Sequence, residues 1–533
     1  MKRPKSKSQP KPPTLDPAMV EQLQRLFTEA VAADDGLGLD NDDPVEVFRD
    51  YLDLCADEDA DLDLKDDLYG EALGALTQLQ VDVDYGERGA ARAFEEIDEA
   101  LAEAIEDGAL SGGDLMMLGK LFAEAKFDPP ARLKSALALA LETPPDEGTE
   151  GEGSDPREAL LELAKAVGDD PFAMNDQLSA LLAAFPLELA EQLVRSFGNG
   201  ADALVLQAVA GFLMHREPRL AVAAGEALAA AAARAPVESL LVERLVRMRP
   251  WLTPERQGPV DAAIRALRSS AKAPEKATAP KIDTLRLSAC DGAGGHSLAA
   301  LVKIGRKYVF ATLLMTQKGV ADAFTVFGLP KSECEMLLDQ TNLGSASEVA
   351  GVGAAARMLA LALPDNLTAQ IPPPYKLVQI VELLGLGALP PDASAPQTIA
   401  AELLDGLPAE LIDEAAAKRA QNALAEESFP PSWFEDNKRA QAVLRPRRRF
   451  GERVRALVKD VLPARRGFWA RQCALSALAL RGADEGHPPA DCIAFALAAR
   501  DLASDQPLEK MPLMRAIAEQ SARVFKSRSE AGF

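Results

Sequence analysis

The chain has 533 residues, roughly three to four typical domains in length, so several domains or one long repeat array are expected. Lys and Arg number 58 against 82 Asp and Glu, a formal charge of −24, and apolar residues make up 48% while aromatics make up only 5%. That composition excludes a disordered chain, a collagen, a disulfide scaffold and an all-β protein, and the acidic balance argues against a general nucleic-acid binder, whose footprint is basic.

Residues 1–17 carry five basic side chains among prolines and predict a basic, disordered tail. No apolar run follows them, as a secretory signal requires. Nor does any stretch reach the ~18 uninterrupted apolar residues that a bilayer demands. The five cysteines (Cys55, Cys290, Cys334, Cys473, Cys492) are odd in number, far apart and without a CxxC pair. They read as free thiols in a reducing compartment, and hence as a cytoplasmic protein.

Residues 18–142 predict an acidic helical domain. Between Asp34 and Asp107 there are 26 acidic and 4 basic residues. Val45, Phe48 and Leu52, and later Leu68, Leu73, Leu76 and Leu79, nevertheless recur at spacings of three to four, which marks amphipathic helices. Residues 143–156 (TPPDEGTEGEGSDP) lack apolar periodicity and predict a mobile linker.

From 157 to 271 the pattern is helix, turn, helix, with turns at Gly168–Pro171, Gly198–Gly200, Glu217-Pro218, Pro236 and Thr253-Pro254. Evenly spaced short helices predict stacked antiparallel pairs. The stretch Glu217-Pro218-Arg219-Leu220-Ala221-Val222-Ala223-Ala224-Gly225-Glu226-Ala227-Leu228 resembles the second helix of HEAT-type repeats: an acid, then Pro, a branched aliphatic, and small residues leading to Ala-Leu. Ala221 stands where that family usually has Arg. The resemblance implies a solenoid-like region over about 201–270 and names no ligand.

Residues 272–281 predict a second, basic linker, and 282–342 a small α/β module. Thr284–Cys290 alternates like a strand, Ser297–Ile304 and Lys307–Met315 follow, Gly305-Arg306 supplies a tight turn, and Lys331–Gln340 reads as a helix. Residues 343–533 return to helices, with stops read at Pro364-Asp365, Pro372–Pro374, Pro390-Pro391, Pro408, Pro430-Pro431, Pro463 and Pro488-Pro489. The fold class is therefore mainly α: solenoid-like helical arrays with one small α/β module inserted mid-chain, its sheet lying between about 282 and 316.

Few residues suggest chemistry. In the acidic run Asp57–Asp67, a calcium loop started at Asp57 places ligands on Asp59, Asp61 and Asp63 but Leu62 and Leu68 where Gly and Glu belong. Started at Asp59 it meets Leu64 and Gly70 there. A solvated acidic face is the better reading. The loop Asp291-Gly292-Ala293-Gly294-Gly295-His296-Ser297 is glycine-rich but joins two strands, whereas a phosphate loop opens a helix. Cys290 and His296 flank it with Asp291 between, the residue types of a nucleophilic site. With Cys334 they would offer three zinc ligands where structural zinc takes four. His215 and His487 read as turn residues. Neither a metal nor a cofactor is expected.

The segment 438–471 holds twelve Lys and Arg against Glu452 and Asp460. On a helical projection Phe450, Val454, Leu457 and Val461 share one face, expected to be core together with Phe468 and Trp469. Arg448, Arg455 and Lys459 lie opposite, with Arg449 and Arg453 on the flank. Together with Arg447 they form a candidate anion- or partner-binding stripe, to be weighed against a solvated helix face that balances an acidic molecule. Three functions follow as expectations. The favoured one is a non-catalytic scaffold or adaptor with a protein partner and no membrane association. The alternatives are a nucleic-acid-associated factor using 438–471, and an enzyme with its site at the loop 290–297.

Overall fold

The computed structural model describes residues 43–57, 62–85, 89–142, 160–161, 164–165, 168–199, 202–272, 280–341, 346–426, 429–446, 449–482, 488–504 and 506–530. The tail 1–17, the linker 143–156, most of the linker 272–281, Asp59, Asp61, Arg447, Arg448 and His487 lie outside the described residues. The chain divides into two compact units, Met1–Gly153 with Leu178–Leu187, and Ser154–Gln177 with Glu188–Phe533.

The first unit is helical. Asp43 caps α1 (Pro44–Ala56): its Oδ1 accepts from the Val45 N–H at 3.0 Å, and Pro44 takes a first-turn position where no amide is needed. Val45, Phe48, Tyr51, Leu52 and Cys55 are buried, a three-to-four spacing that puts them on one face while the acids stay in water. α2 (Leu62–Tyr85), α3 (Ala90–Glu106), α4 (Gly112–Glu124) and α5 (Ala131–Glu142) complete the bundle. Ser111 and Asp114 form a reciprocal capping box at the start of α4. Phe48, Leu76, Ile97, Leu101 and Phe122 are fully buried, with the Phe48 and Phe122 rings edge to face at 5.6 Å. Each such side chain contributes ~1.5–3 kcal/mol of burial, which offsets the mutual repulsion of the acidic surface. The acidic run from Leu62 onward is the first part of α2.

α6 (Pro171–Ala183) belongs to the second unit as far as Gln177 and to the first from Leu178, and α7 (Leu187–Phe197) to the second from Glu188; α8 (Ala203–Gly211), α9 (Pro218–Ala232), α10 (Ser239–Met248) and α11 (Gln257–Arg268) follow in the second unit. α8 packs on α9 and α10 on α11, and α9 packs along α11. Glu217 caps α9 by accepting the Arg219 N–H, and Leu220, Ala221, Ala223, Ala224, Gly225, Ala227 and Leu228 are buried. Gly225 lets α11 approach closely: a Cβ there would stand 3.1 Å from the Pro259 carbonyl. On the outside, Arg219 bonds Glu188 and Glu191, and Arg195 bonds Glu191 and Glu226, lacing α7 to α9. Exposed pairs of this kind contribute little, ~0–1 kcal/mol each.

The β module is larger than the sequence suggests. β3 (Lys281–Ser288), β4 (His296–Ile304) and β5 (Lys307–Thr316) occupy the three expected strand positions, but the sheet does not end at 316. It continues through β6 (Gly319–Leu329) and β7 (Ser347–Val349) in the order β6-β5-β4-β3-β7, antiparallel throughout. Two register shifts hide β6 from period-two reading: Ala321 is extra between the pairs Met315↔Val320 and Leu314↔Asp322, and Gly328 between Tyr308↔Leu329 and Val309↔Phe327. Gly305, at φ +61°, turns the two-residue β4–β5 hairpin. Within the expected linker, β2 (Ala271–Lys272) pairs in parallel with β1 (Val237–Glu238).

α12 (Lys331–Gln340) packs on β4 and β5, and α13 (Val352–Ala369) and α14 (Lys376–Leu383) on β6. The helix stop expected at Pro364 is absent, because α13 runs through it. Proline there removes the amide that would bond the Ala360 carbonyl, and the Asp392 N–H takes that carbonyl at 2.8 Å instead. Two residues on, Asn366 blunts the sheet edge. Its Oδ1 accepts the Val320 N–H at 2.8 Å, and its Nδ2 donates to the Val320 and Ile371 carbonyls at 3.1 Å. A side-chain amide thus stands where another strand would pair.

α15 (Pro396–Leu404), α16 (Ala409–Ile412), α17 (Glu414–Glu426), α18 (Lys438–Leu444), α19 (Phe450–Ala456), α20 (Leu462–Ala479), α21 (Ala490–Ala503) and α22 (Pro512–Glu530) follow. A π turn, Leu457–Val461, joins α19 to α20 directly ahead of Pro463, so the expected stop at Pro463 is also absent. The chain is mainly α with an inserted α/β module, as composition implied. No described helix is long and apolar enough to cross a membrane.

Asn366→Ala is expected to lower stability by about 3 kcal/mol, since the buried Val320 N–H and C=O lose their partners. The shift of the urea midpoint at constant slope measures it.

Candidate functional site

The loop between β3 and β4 carries Cys290, Asp291 and His296. Its geometry is set by bonds that stay inside the molecule. The Asp291 N–H donates to the Gly295 carbonyl at 2.8 Å, the Gly294 N–H to the Asp291 carbonyl at 3.2 Å, and the Gly295 N–H to Asp291 Oδ1 at 2.6 Å. The Gly292 N–H donates to Ser432 Oγ at 3.3 Å. Four of the amides that would cradle a phosphate, those of Asp291, Gly292, Gly294 and Gly295, are therefore taken. The glycines serve close packing: a Cβ on Gly292 would overlap the Ser432 carbonyl, and Gly294 sits at φ +92° against the Gln472 amide.

Cys290 is buried. Its N–H donates to Ser476 Oγ at 3.0 Å and its carbonyl accepts Trp433 Nε1 at 2.8 Å. Burial pushes its thiol up to about 12, against a smaller opposing effect of the Ser476 hydroxyl, so the thiolate that attacks a substrate is scarce at neutral pH. His296 is 5% exposed. Burial pushes its imidazole down to about 4, Nδ1 lies 3.4 Å from the Gly294 carbonyl, and Nε2 is buried without a hydrogen-bond partner among the described residues. No hydrogen bond joins Cys290 to His296 among the described residues. A nucleophile needs its base within reach of its proton, and this pair lacks that geometry. Cys334 is buried in α12, and no three His, Cys, Asp or Glu side chains group as metal ligands among the described residues.

The basic block separates into two populations. Arg465, Arg466 and Arg471 turn inward. Arg465 Nε bonds Glu435 Oε1 at 2.8 Å, Arg466 donates to the carbonyls of Leu502, Ser504 and Gln506, and Arg471 donates to the Leu361 carbonyl and to Asp365. The cations of α18 and α19 turn outward. Lys438, Arg439, Arg445, Arg449, Arg455 and Lys459 are exposed. Arg449 reaches Glu452 only at 3.8 Å, and Arg455 bonds the Gly451 carbonyl of its own helix. Lys438, Arg439, Arg445, Arg455 and Lys459 make no ion pair among the described residues. Arg453 is half-buried and lies over the Phe525 ring of α22, 4.9 Å from its centroid. α18, α19 and the π turn pack on one another and on α22, which holds these cations on one small bundle.

Two expectations about this block need correction. Phe450 is not core but 43% exposed. It is the first residue of α19, and close packing begins one turn later, at Val454 and Leu457, so much of its ring stays exposed. Phe468 is only half-buried, with the Arg465 guanidinium 3.7 Å above its ring, whereas Trp469, Leu457 and Val461 are buried as expected. The helical projection also missed Lys438, Arg439 and Arg445, which precede the run used to draw it. Nothing in local spacing marks Ser432, Trp433, Gln472 or Ser476 as the partners of the glycine loop.

Comparison with known families adds two matches. Residues 397–526 match the Y4lR C-terminal helical domain, and residues 186–271 the Y4lR second domain. Together they cover less than half of the chain, and neither is a HEAT repeat model. No curated protein and no solved structure matches the chain. The cations of α18 and α19 fall inside the first matched stretch.

All five cysteines are free and buried. The native protein is expected to release no colour with Ellman's reagent over minutes, and five equivalents once unfolded. A thiol reacting fast under native conditions would contradict the packing of Cys290. The histidines set a pH dependence. Burial also holds His215 at about 4, where its Nδ1 accepts the Glu217 N–H at 3.0 Å. Both folded values lie below the free value of about 6.5, so the unfolded chain binds more protons between the two. Stability is therefore full above pH 6.5 and falls as pH drops toward 4, by about 2 kcal/mol per histidine at pH 5. The double variant His215→Asn, His296→Asn should lose most of the part of this slope lying between pH 6.5 and 5, read from denaturant midpoints.

Proposed function

We propose that the protein is a non-catalytic helical scaffold that docks another macromolecule through the cationic surface of α18 and α19. One observation carries this reading: exposed Lys438, Arg439, Arg445, Arg455 and Lys459 make no ion pair among the described residues, while every inward arginine of the same block has a partner. A face that merely balanced internal acids would spend its cations on them. Residues 154–533 hold 44 basic and 45 acidic residues, so the surface does not sit in a strongly opposing field of its own unit. The packing of the glycine loop supports the non-catalytic half of the proposal, since four of its amides are engaged and the Cys290 thiol and His296 imidazole are enclosed.

In this reading 201–270 is a short HEAT-like stack serving as framework. The α8–α10 side of that stack meets the chain's own segment 375–389: Tyr375 Oη donates to the Gln207 carbonyl, Arg244 bonds Glu382, and Trp251 Nε1 donates to the Leu389 carbonyl. A partner would accordingly dock elsewhere. Five buried free thiols are at home in a reducing, cytoplasmic compartment.

Retention on heparin tests the docking surface. The intact chain should be retained at low salt, and the triple variant Arg439→Glu, Arg455→Glu, Lys459→Glu should elute in the wash. Its thermal midpoint should stay nearly unchanged, as surface substitutions generally alter stability by no more than ~0.5 kcal/mol. Equal retention of the two proteins, or none of either, would refute the docking surface.

A further inference from the structure

We infer that the cationic surface of α18 and α19 takes single-stranded nucleic acid, held by its phosphates and by one base laid on Phe450. The inference rests on the docking reading above and names the class of partner. Three features of the surface decide between an acidic protein and a polynucleotide.

The first is the balance of charge and apolar area. Protein interfaces centre on apolar and aromatic side chains and are depleted of charge at their core. Here six exposed cations and a single exposed large apolar residue, Phe450, belong to α18, α19 and the turns beside them. The other exposed large apolar side chains of this unit lie on other elements: Leu314, Phe327 and Val349 in the sheet, Val222, Val246, Met336, Val352 and Leu411 on helices outside α18 and α19. The cation-rich, apolar-poor composition fits a polyanionic backbone.

The second is the chemistry of the cations. Arg439, Arg445, Arg449 and Arg455 are guanidinium groups, whose planar forks match phosphate oxygens two at a time. They come from two short helices and the turn between them, so they spread over a surface as a line of phosphates would need.

The third is Phe450 itself. It is aromatic, 43% exposed and placed at the head of α19 next to Arg449. Aromatic faces beside a positive groove are what unpaired bases stack on, and the stacking tolerates any sequence. Bases in an intact duplex are stacked on each other and cannot use it. The short helices add to this: α18 and α19 have seven residues each, with the glycine-flanked Phe450 rather than a polar reading residue at the exposed start of α19. Binding should therefore be indifferent to sequence.

Fluorescence anisotropy of labelled oligothymidylate (15 nucleotides), the same length of duplex DNA, and labelled polyglutamate, each with the intact chain, tests this. The single strand should bind tightest. With five unpaired cations engaged, log K should fall against log salt with a slope of about −3 to −4, a loss of roughly a hundredfold between 50 and 200 mM salt. Phe450→Ala should weaken single-strand binding about tenfold while leaving heparin retention in place. The triple charge reversal should abolish single-strand binding, with circular dichroism confirming that both variants fold. Preference for duplex with no effect of Phe450→Ala overturns the single-strand inference. So does tighter binding of polyglutamate, which leaves the docking surface standing with an acidic protein as its partner. Loss of oligonucleotide, polyglutamate and heparin binding together overturns the docking surface as well.

Discussion

The carboxylate of Glu435 is buried at 3% exposure, and the second unit is organised around it. Its Oε1 accepts Arg465 Nε and Trp469 Nε1, both at 2.8 Å, and its Oε2 accepts Asn437 Nδ2 at 2.5 Å. The Glu435 N–H donates to Ser521 Oγ of α22 at 2.8 Å. A buried charge is tolerated only when its oxygens are so occupied, and removing one partner costs several kcal/mol because the charge stays behind. Two residues upstream, Trp433 is fully buried against Trp469 and Phe495, and its indole N–H holds the Cys290 carbonyl. One short segment thus ties α20, α21 and α22 to the glycine loop of the sheet. The glycines of that loop are a consequence: any side chain on Gly292 would collide with the segment that holds it.

The same economy of backbone groups recurs along α13. Pro364 frees a carbonyl, and a loop amide from Asp392 satisfies it. Asn366 then supplies the sheet edge with the donor and acceptor that another strand would have given. Both devices keep polar groups paired where water is absent, which is the condition for helix and sheet to meet without loss. Gln207, Arg244 and Trp251 likewise hold the segment from Tyr375 to Leu389 of the same chain.

What stays unspent is charge. The inward arginines of the basic block close carbonyls and carboxylates of the core, whereas those of α18 and α19 face water beside an exposed phenylalanine. That division separates partnered from outward-facing cations within one stretch of sequence.

Residue pattern alone determined the helical class, the amphipathic character of the acidic helices, three of the strands and the tight turn at Gly305, because each depends on contacts between residues only a few positions apart. Val45, Phe48 and Leu52 announce their helix through spacing, and Gly305 announces its turn through the positive φ that it permits. Tertiary structure decided the rest. β6 was hidden because bulges at Ala321 and Gly328 break the alternation that marks a strand. Pro364 and Pro463 looked like stops because the Asp392 amide and the π turn that accommodate them lie outside the local pattern. Cys290 and the glycine loop looked like chemistry because the partners that occupy them, Ser476 and Trp433 for Cys290 and Ser432 for Gly292, are more than 130 residues away in sequence. Phe450 looked like core because a helical projection cannot tell where packing begins. The deciding terms are the desolvation of Cys290 by distant segments, the distant amide that serves Pro364, the pairing of β6 with its neighbour and the point at which packing on α19 begins, and none of them is set by the local spacing of residue types.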